Sequence, residues 1–193
     1  GNMTTTRERI VENAALLIWK QGYTRTTVDE IIAAAGICKG SFYHYFASKG
    51  SLGLAVIDAW ADAFGAEIQA RLSAEREAVG NIEAILDTTI ETQRANGHMG
   101  CPLGRMALEM ADLSDHFRRR LDGAFHQWTD LFERYLVEAG MCTAEASASA
   151  RYALATLEGA LMLDKVAGGG HVLEQLIDQM KSVLRRQITE VAA

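Results

Sequence analysis

Proline occurs once in 193 residues, at Pro102, so almost nothing in the chain interrupts a helix covalently. Cysteine occurs three times, at Cys38, Cys101 and Cys142, with no C-x-x-C pair. An odd number at wide spacing excludes a disulfide framework and points to a reducing compartment, so a cytoplasmic location is expected. No apolar run approaches the roughly 18 residues that a membrane span requires, and the start, GNMTTTRERI, has no apolar signal core. No membrane association is therefore expected, and Gly1 and Asn2, ahead of Met3, are expected to lie outside the fold. The alternation of Val, Ile and Thr that marks half-buried strands is missing. Also missing are H-E-x-x-H, G-x-S-x-G, the Walker phosphate loop and the dinucleotide glycine fingerprint. No catalytic residue and no cofactor is expected; an all-α enzyme with a scattered site is the remote alternative. His98 and Cys101 have i, i+3 spacing, yet too few ligating neighbours follow for zinc, so no metal is expected.

What is present is helix-forming. Ala, Leu, Glu and Arg dominate, hydrophobic residues make up 49% of the chain and charged residues 23%. The composition is that of an all-α protein large enough to bury a substantial core. The net charge of −6 is unevenly spread. Residues 1–50 carry six basic against four acidic side chains, and residues 51–193 carry thirteen against twenty-one. A mildly basic head on an acidic body suggests two domains, 1–50 and 51–193, with a hinge near Ser48–Gly50.

Thr5 with Glu8, and Thr27 with Glu30, have capping-box spacing. Ile10, Val11, Ala14, Leu17 and Ile18 form the apolar stripe of a first helix that ends at Gly22. Val28, Ile31, Ile32 and Ala35 form that of a second, which ends at Gly36. After a three-residue turn a short third helix is expected over about Lys39–Phe46, and Ser48 caps a long fourth one reaching Leu72. Further helices are expected over Asn81–Asn96, Pro102–Leu113, Ser114–Ala139, Thr143 to about Val166, and His171 to about Val191, for about nine in all. Neither an internal repeat nor a low-complexity tract is present.

The segment GICKGSFYHYFASKG (36–50) mixes groups that neither a core nor a plain solvated face needs together. On a wheel of about 100° per residue, Phe42 and Phe46 fall close together as an anchor. Gly40, Ser41 and His44 point away from it, with Tyr43 and Tyr45 on the flanks. Two short helices joined by a glycine-containing turn form a helix-turn-helix, and a helix with an apolar back and a polar, aromatic-edged front suits a DNA major groove. Ser41 and His44 can bond base edges or phosphates, the tyrosine hydroxyls can reach phosphates, and Gly40 permits close backbone approach. Lys39 and Lys49 add positive charge, and Thr27 offers a helix N-terminus to a phosphate. The plainer reading, that these aromatics only pack the small domain, applies to Phe42 and Phe46 more than to Tyr43 and Tyr45.

The stretch TVDEIIAAAGICKGSFYHYFASKGSLGLAVI closely resembles the DNA-binding domain of the TetR family of bacterial transcriptional regulators, through GYTRTTVDEI (22–31), AGICKGSFYHYFASK (35–49) and Leu52. The resemblance covers about residues 6–57. It implies that Thr27, Lys39, Gly40, Ser41, Tyr43, His44, Tyr45 and Lys49 touch operator DNA. Two positions depart from the pattern: Cys38 stands where a hydroxyl residue usually caps the third helix, and Gly50 where an acidic residue is usual. A thiol caps poorly, so a less stable recognition helix is expected.

For the body, GCPLGRMALEMADLSDHFRRRLDGAFHQW resembles one branch of the family more weakly, implying a helical ligand-binding and dimerisation domain. Trp60, Phe64, Cys101, Met106, Met110, Phe125 and Trp128 are the candidate lining of a largely apolar effector pocket, with Glu109, His126 and Tyr152 as candidate polar contacts. Cys101, just before Pro102 near a helix N-terminus, is either an idle thiol or an electrophile or oxidant sensor. Leu154, Leu157, Leu161, Leu173, Leu176, Ile177, Met180 and Leu184 are expected to build a homodimer through a four-helix bundle, two helices from each subunit. Arg118–Arg120 reads as a solvated face, not a second DNA site. The expected function is a ligand-responsive repressor. It binds a near-palindromic double-stranded operator as a homodimer, with recognition helices about 34 Å apart, and a small, largely apolar molecule releases it. A redox or electrophile sensor acting through Cys101 is the alternative, and a protein-binding adaptor, insensitive to salt, is a third reading.

Overall fold

Two reciprocal capping boxes start the chain's first two helices. In the computed structural model, which describes residues 4–192 and side chains as far as Glu190, the Thr5 hydroxyl accepts the Glu8 N–H at 3.2 Å while the Glu8 carboxylate accepts the Thr5 N–H at 2.7 Å. Thr27 and Glu30 repeat the arrangement. Gly1 and Asn2 lie outside the described residues. Nine helices and no strand occur among the described residues. They are α1 (Thr6–Gln21), α2 (Val28–Ala35), α3 (Lys39–Tyr45), α4 (Lys49–Gln69), α5 (Ala78–Asn96), α6 (Pro102–Met110), α7 (Asp115–Glu138), α8 (Thr143–Ala167) and α9 (Val172–Ala192). None is long and apolar enough to cross a membrane.

The expected order of elements holds, with shifts at some of the ends. α5 begins at Ala78, ahead of the expected Asn81. Asn81 is not a cap: its buried side chain accepts the Ser73 N–H at 3.1 Å and donates to the Ser73 carbonyl at 2.8 Å, closing the loop between α4 and α5. α4 stops at Gln69, short of Leu72, and α6 stops at Met110, short of Leu113.

The helices divide into two compact units. One contains the chain through Ala63 together with Pro102–Ala124; the other contains Phe64–Cys101 and Phe125 onward. α4 and α7 each pass from one unit to the other along their own length. The first core is built from Ile10, Ile18, Ile31, Phe42, Leu52 and Ile57 of α1–α4, completed by Met106, Met110, Phe117 and Leu121 of α6 and α7. Thus α6 and the first turns of α7 belong to the same body as the helix-turn-helix. The second core joins Ile82, Ile85 and Leu86 of α5, Phe132 and Leu136 of α7, and the facing stripes of α8 and α9. It is tied at its rim by ion pairs from α9 to α5, Lys181 to Asp87 at 2.5 Å and Arg185 to Glu83 at 2.6 Å.

Candidate nucleic-acid interface and effector site

Gly36 makes the turn of the helix-turn-helix. Its φ of 64° is left-handed, which a residue bearing a Cβ adopts only at a cost. It lets the Gly36 and Ile37 N–H groups close on the carbonyls of Ala33 and Ile32, each at 3.2 Å. α3 then presents the two faces expected from its sequence. Phe42 and Phe46 are 0% and 4% exposed, with ring centroids 6.0 Å apart. Tyr43 and Tyr45 are 48% and 41% exposed, and Lys39, Gly40 and His44 are exposed with them, while Ser41 is half-buried. The exposed rings are braced: Tyr43 stands edge-on to Phe42 at 5.1 Å, and His44 to Tyr45 at 4.9 Å. Cys38 holds N-cap backbone geometry, φ −89° and ψ 162°, and its thiol makes no capping bond.

Two of the expected contact residues stand in fuller surroundings than the sequence indicated. The Thr27 hydroxyl also donates to the Glu30 carboxylate at 3.0 Å, so the first turn of α2 already holds an anion. Hydrogen bonds from the Thr27 backbone and side chain keep the Glu30 carboxyl below its ordinary range. Lys49 lies with its ammonium 4.3 Å from the centre of the Tyr23 ring. Burial lowers the Lys49 pKa, and the charges of Glu109 and Glu30 oppose that shift. Two basic residues outside the expected contact set belong to the same region: Arg7, whose guanidinium sits 5.2 Å from the Phe46 ring, and Arg25, exposed in the turn before α2.

The candidate effector residues are divided between the units. Met106 and Met110 are 1% and 7% exposed inside the core of the helix-turn-helix unit, and Trp60 packs on that core. Phe64, Cys101 and Trp128 gather at the second core, and Phe125 is half-buried in that unit. Trp128 stacks on Phe132 at 4.8 Å. Its indole Nε1 and the Thr89 hydroxyl are buried without a hydrogen-bond partner. The Cys101 thiol donates to the Glu158 carboxyl; burial raises the Glu158 pKa and this bond partly offsets the rise. Of the candidate polar contacts, Glu109 lies in the first unit, while Tyr152 and His126 are exposed. No cluster of three or more His, Cys, Asp or Glu side chains suited to a metal occurs among the described residues. Arg118 and Arg119 pair with Asp115, at 2.6 and 2.7 Å, and Arg120 with Asp58 at 2.5 Å, as a solvated face should.

The side chains expected at a dimer interface are largely covered within the single chain. Leu157, Leu161, Leu173, Ile177, Met180 and Leu184 are buried within the single chain, and Leu154 and Leu176 pack half-buried beside them. α8 and α9 cover each other's leucine stripes. The apolar side chains left uncovered on α8 are Tyr152, Met162, Leu163 and Val166, at 47%, 58%, 51% and 83% exposure. At about 100° per residue they share one stripe, with the exposed Ala148 and Ala155 on the same line.

A glycine-turned helix pair with a buried aromatic anchor and an exposed polar, basic and aromatic face defines a helix-turn-helix DNA-binding protein, here continued by a second all-helical unit. The chain belongs to the TetR family of transcriptional regulators. Residues 10–56 match the model of bacterial regulatory proteins of the tetR family, and residues 78–179 match the C-terminal domain of LmrA/YxaF-like transcriptional regulators. An HTH-type transcriptional regulator of Mycobacterium tuberculosis strain H37Rv is 30% identical, over 95% of this chain and 96% of its own. The HTH-type transcriptional repressor DhaR of Mycobacterium sp. strain GP1 is 28% identical over 90% of this chain and 89% of its own. The crystal structure of a regulatory protein TetR from Rhodobacter sphaeroides superposes with a TM-score of 0.82 at 27% identity, covering 91% of this chain and 96% of that one.

Proposed function

We propose that this regulator is a repressor that binds a near-palindromic operator as a homodimer and is released by a small, largely apolar molecule. The observation that carries the DNA half is the split face of α3, with both phenylalanines buried and Lys39, Tyr43, His44 and Tyr45 exposed on one short helix. Gly40, Ser41, Thr27 and Lys49 complete the contact set, with Lys49 acting from its seat on Tyr23. A relative at 28% identity, DhaR, is named a repressor, which favours that sign of regulation.

The dimer rests on the uncovered stripe of α8, Tyr152–Val166, since the leucines of α8 and α9 are already used within the chain. A second copy offering the same stripe is a self-complementary partner, as two-fold symmetry requires. The effector reading rests on the second unit, where the Trp128 indole Nε1 and the Thr89 hydroxyl are buried without a hydrogen-bond partner beside a large apolar cluster, which suits a mostly apolar molecule with some hydrogen-bonding capacity. The alternative, a thiolate sensor at Cys101, has the Glu158 carboxyl against it, because a thiol that donates a hydrogen bond to a carboxylate keeps its proton, and the carboxylate charge disfavours a thiolate beside it.

Selection of duplexes from a random pool, followed by fluorescence anisotropy across a salt series, tests the reading. The expected result is a palindromic site whose affinity falls steeply with salt. Retention of no duplex, or binding indifferent to salt as for a protein adaptor, refutes it.

A further inference from the structure

The turn between α1 and α2 is held from 85 residues away. The Glu109 carboxylate, on α6, accepts the Tyr23 N–H at 3.0 Å on one oxygen and the Thr24 N–H at 2.6 Å on the other. Two successive backbone N–H groups form a small anion-binding concavity, and here the anion is the protein's own. The neighbouring Gly22 has φ 94°, and a Cβ there would stand 3.0 Å from Glu109 Oε2 and 3.4 Å from Arg105 Nη2. Glycine is thus needed twice, for the backbone and for the space. Burial works to raise the Glu109 pKa, but the Thr24 and Tyr23 N–H bonds and the Arg105 charge outweigh it and hold the carboxyl below its ordinary range.

The rest of the turn is gripped as firmly. The Tyr23 ring meets Phe117 of α7 edge-on at 5.0 Å, carries the Lys49 ammonium on its face, and packs where Gly53 of α4 leaves no room for a Cβ, at 2.8 Å from the Tyr23 ring and 2.6 Å from Phe117. Thr26, wholly buried, donates to the Gly22 carbonyl at 2.7 Å and fixes the path into α2. The turn directly precedes Thr27 and the helix-turn-helix, and α6 directly follows Cys101 of the other unit.

We propose that Glu109 is a positioning residue for operator recognition: by clamping the Tyr23–Thr24 amides it sets the helix-turn-helix in register with α6, without touching DNA itself. The proposal rests on the reading of α3 as a DNA-binding helix and adds the element that orients it. It also gives the sixth helix a direct polar grip on the reading head, so that a displacement of α6 reaches α2 through backbone hydrogen bonds.

The test compares the wild-type protein with Glu109→Gln on one duplex selected by the wild type. Glu109→Gln keeps the size of the side chain but turns an N–H₂ toward one of the two amides. The expected loss of affinity is on the order of tenfold, as for a charge-assisted pair broken at one end. A passive carboxylate predicts the opposite sign, because removing a negative charge from a DNA-binding surface strengthens binding to a polyanion. Hydrogen exchange at the Tyr23 and Thr24 amides is expected to quicken in the variant while its helical circular dichroism and the salt slope of binding stay those of the wild type. Should Glu109→Gln fail to fold, Glu109→Asp answers the same question: the charge is kept, the reach to both amides is lost, and binding is again expected to weaken. A folded variant that binds as tightly as the wild type or more so, or whose two amides exchange no faster, overturns the proposal. Failure of the wild type to retain any duplex strikes the DNA reading instead.

Discussion

Replacing Cys38 by serine should strengthen the recognition helix. Cys38 already has the extended backbone of an N-cap, φ −89° and ψ 162°, so no main-chain movement is needed. Its thiol makes no bond to the first turn, whereas Thr5 and Thr27, in the same role on α1 and α2, accept the N–H three residues on at 3.2 Å. Cys38 is exposed, so the exchange costs no buried apolar contact. A hydroxyl cap contributes about 1 kcal/mol relative to a residue that cannot cap. A chain of 193 residues gains about 0.4 kcal/mol per kelvin of unfolding entropy at its midpoint, so Tm should rise by about 2–3 °C. Seven residues are too few for α3 to be helical alone, and any fraying of its first turn removes binding-competent molecules, so operator affinity should rise too, by up to about fivefold. Differential scanning calorimetry and operator titration of Cys38→Ser beside Cys38→Ala isolate the hydroxyl from the loss of sulfur. Melting of Cys38→Ser no higher than Cys38→Ala would show that the missing cap is immaterial and refute the reasoning.

Glu158→Gln should raise Tm at pH 8. Burial makes the Glu158 carboxyl easier to protonate in the folded chain than in the unfolded one, so its charge opposes folding above the raised pKa. That opposition disappears once pH falls below the unfolded value, so the gain from glutamine should shrink to nothing near pH 4, and melting curves across pH 4–8 check the sign. Iodoacetamide followed by mass spectrometry should label Cys38 and Cys142, both exposed, faster than Cys101, which is half-buried with its proton held toward a carboxyl; a Cys101 that reacts first would restore the sensor reading. Val166→Asp places a charge in the uncovered stripe of α8 and should shift sedimentation at micromolar concentration from dimer to monomer without loss of helicity, because the side chain is 83% exposed in the single chain; an unchanged dimer would move the interface off α8.

The helix-turn-helix was legible because everything that forms it is local. Capping boxes span three residues, the Gly36 turn spans three, and the two faces of α3 follow from the wheel of a seven-residue helix. A helix start is harder to place where a residue with capping chemistry bonds outside the first turn. Asn81 is such a case, since its amide serves Ser73 eight residues back. The spacing of the leucines of α8 and α9 marks two stripes in need of cover, but cannot say whether the cover is the other helix or another chain.

The order and amphipathic faces of the helices, the split face of α3 and its missing side-chain cap were written into residues a few positions apart, where backbone geometry allows one arrangement. Tertiary structure alone decided that Met106, Met110 and Phe117 serve the core of the helix-turn-helix unit, and that Glu109 seats on two amides 85 and 86 residues away. Helical periodicity fixes which side of an element is apolar, but the partner that buries it is chosen by packing between segments remote in the chain, and no local pattern encodes that choice.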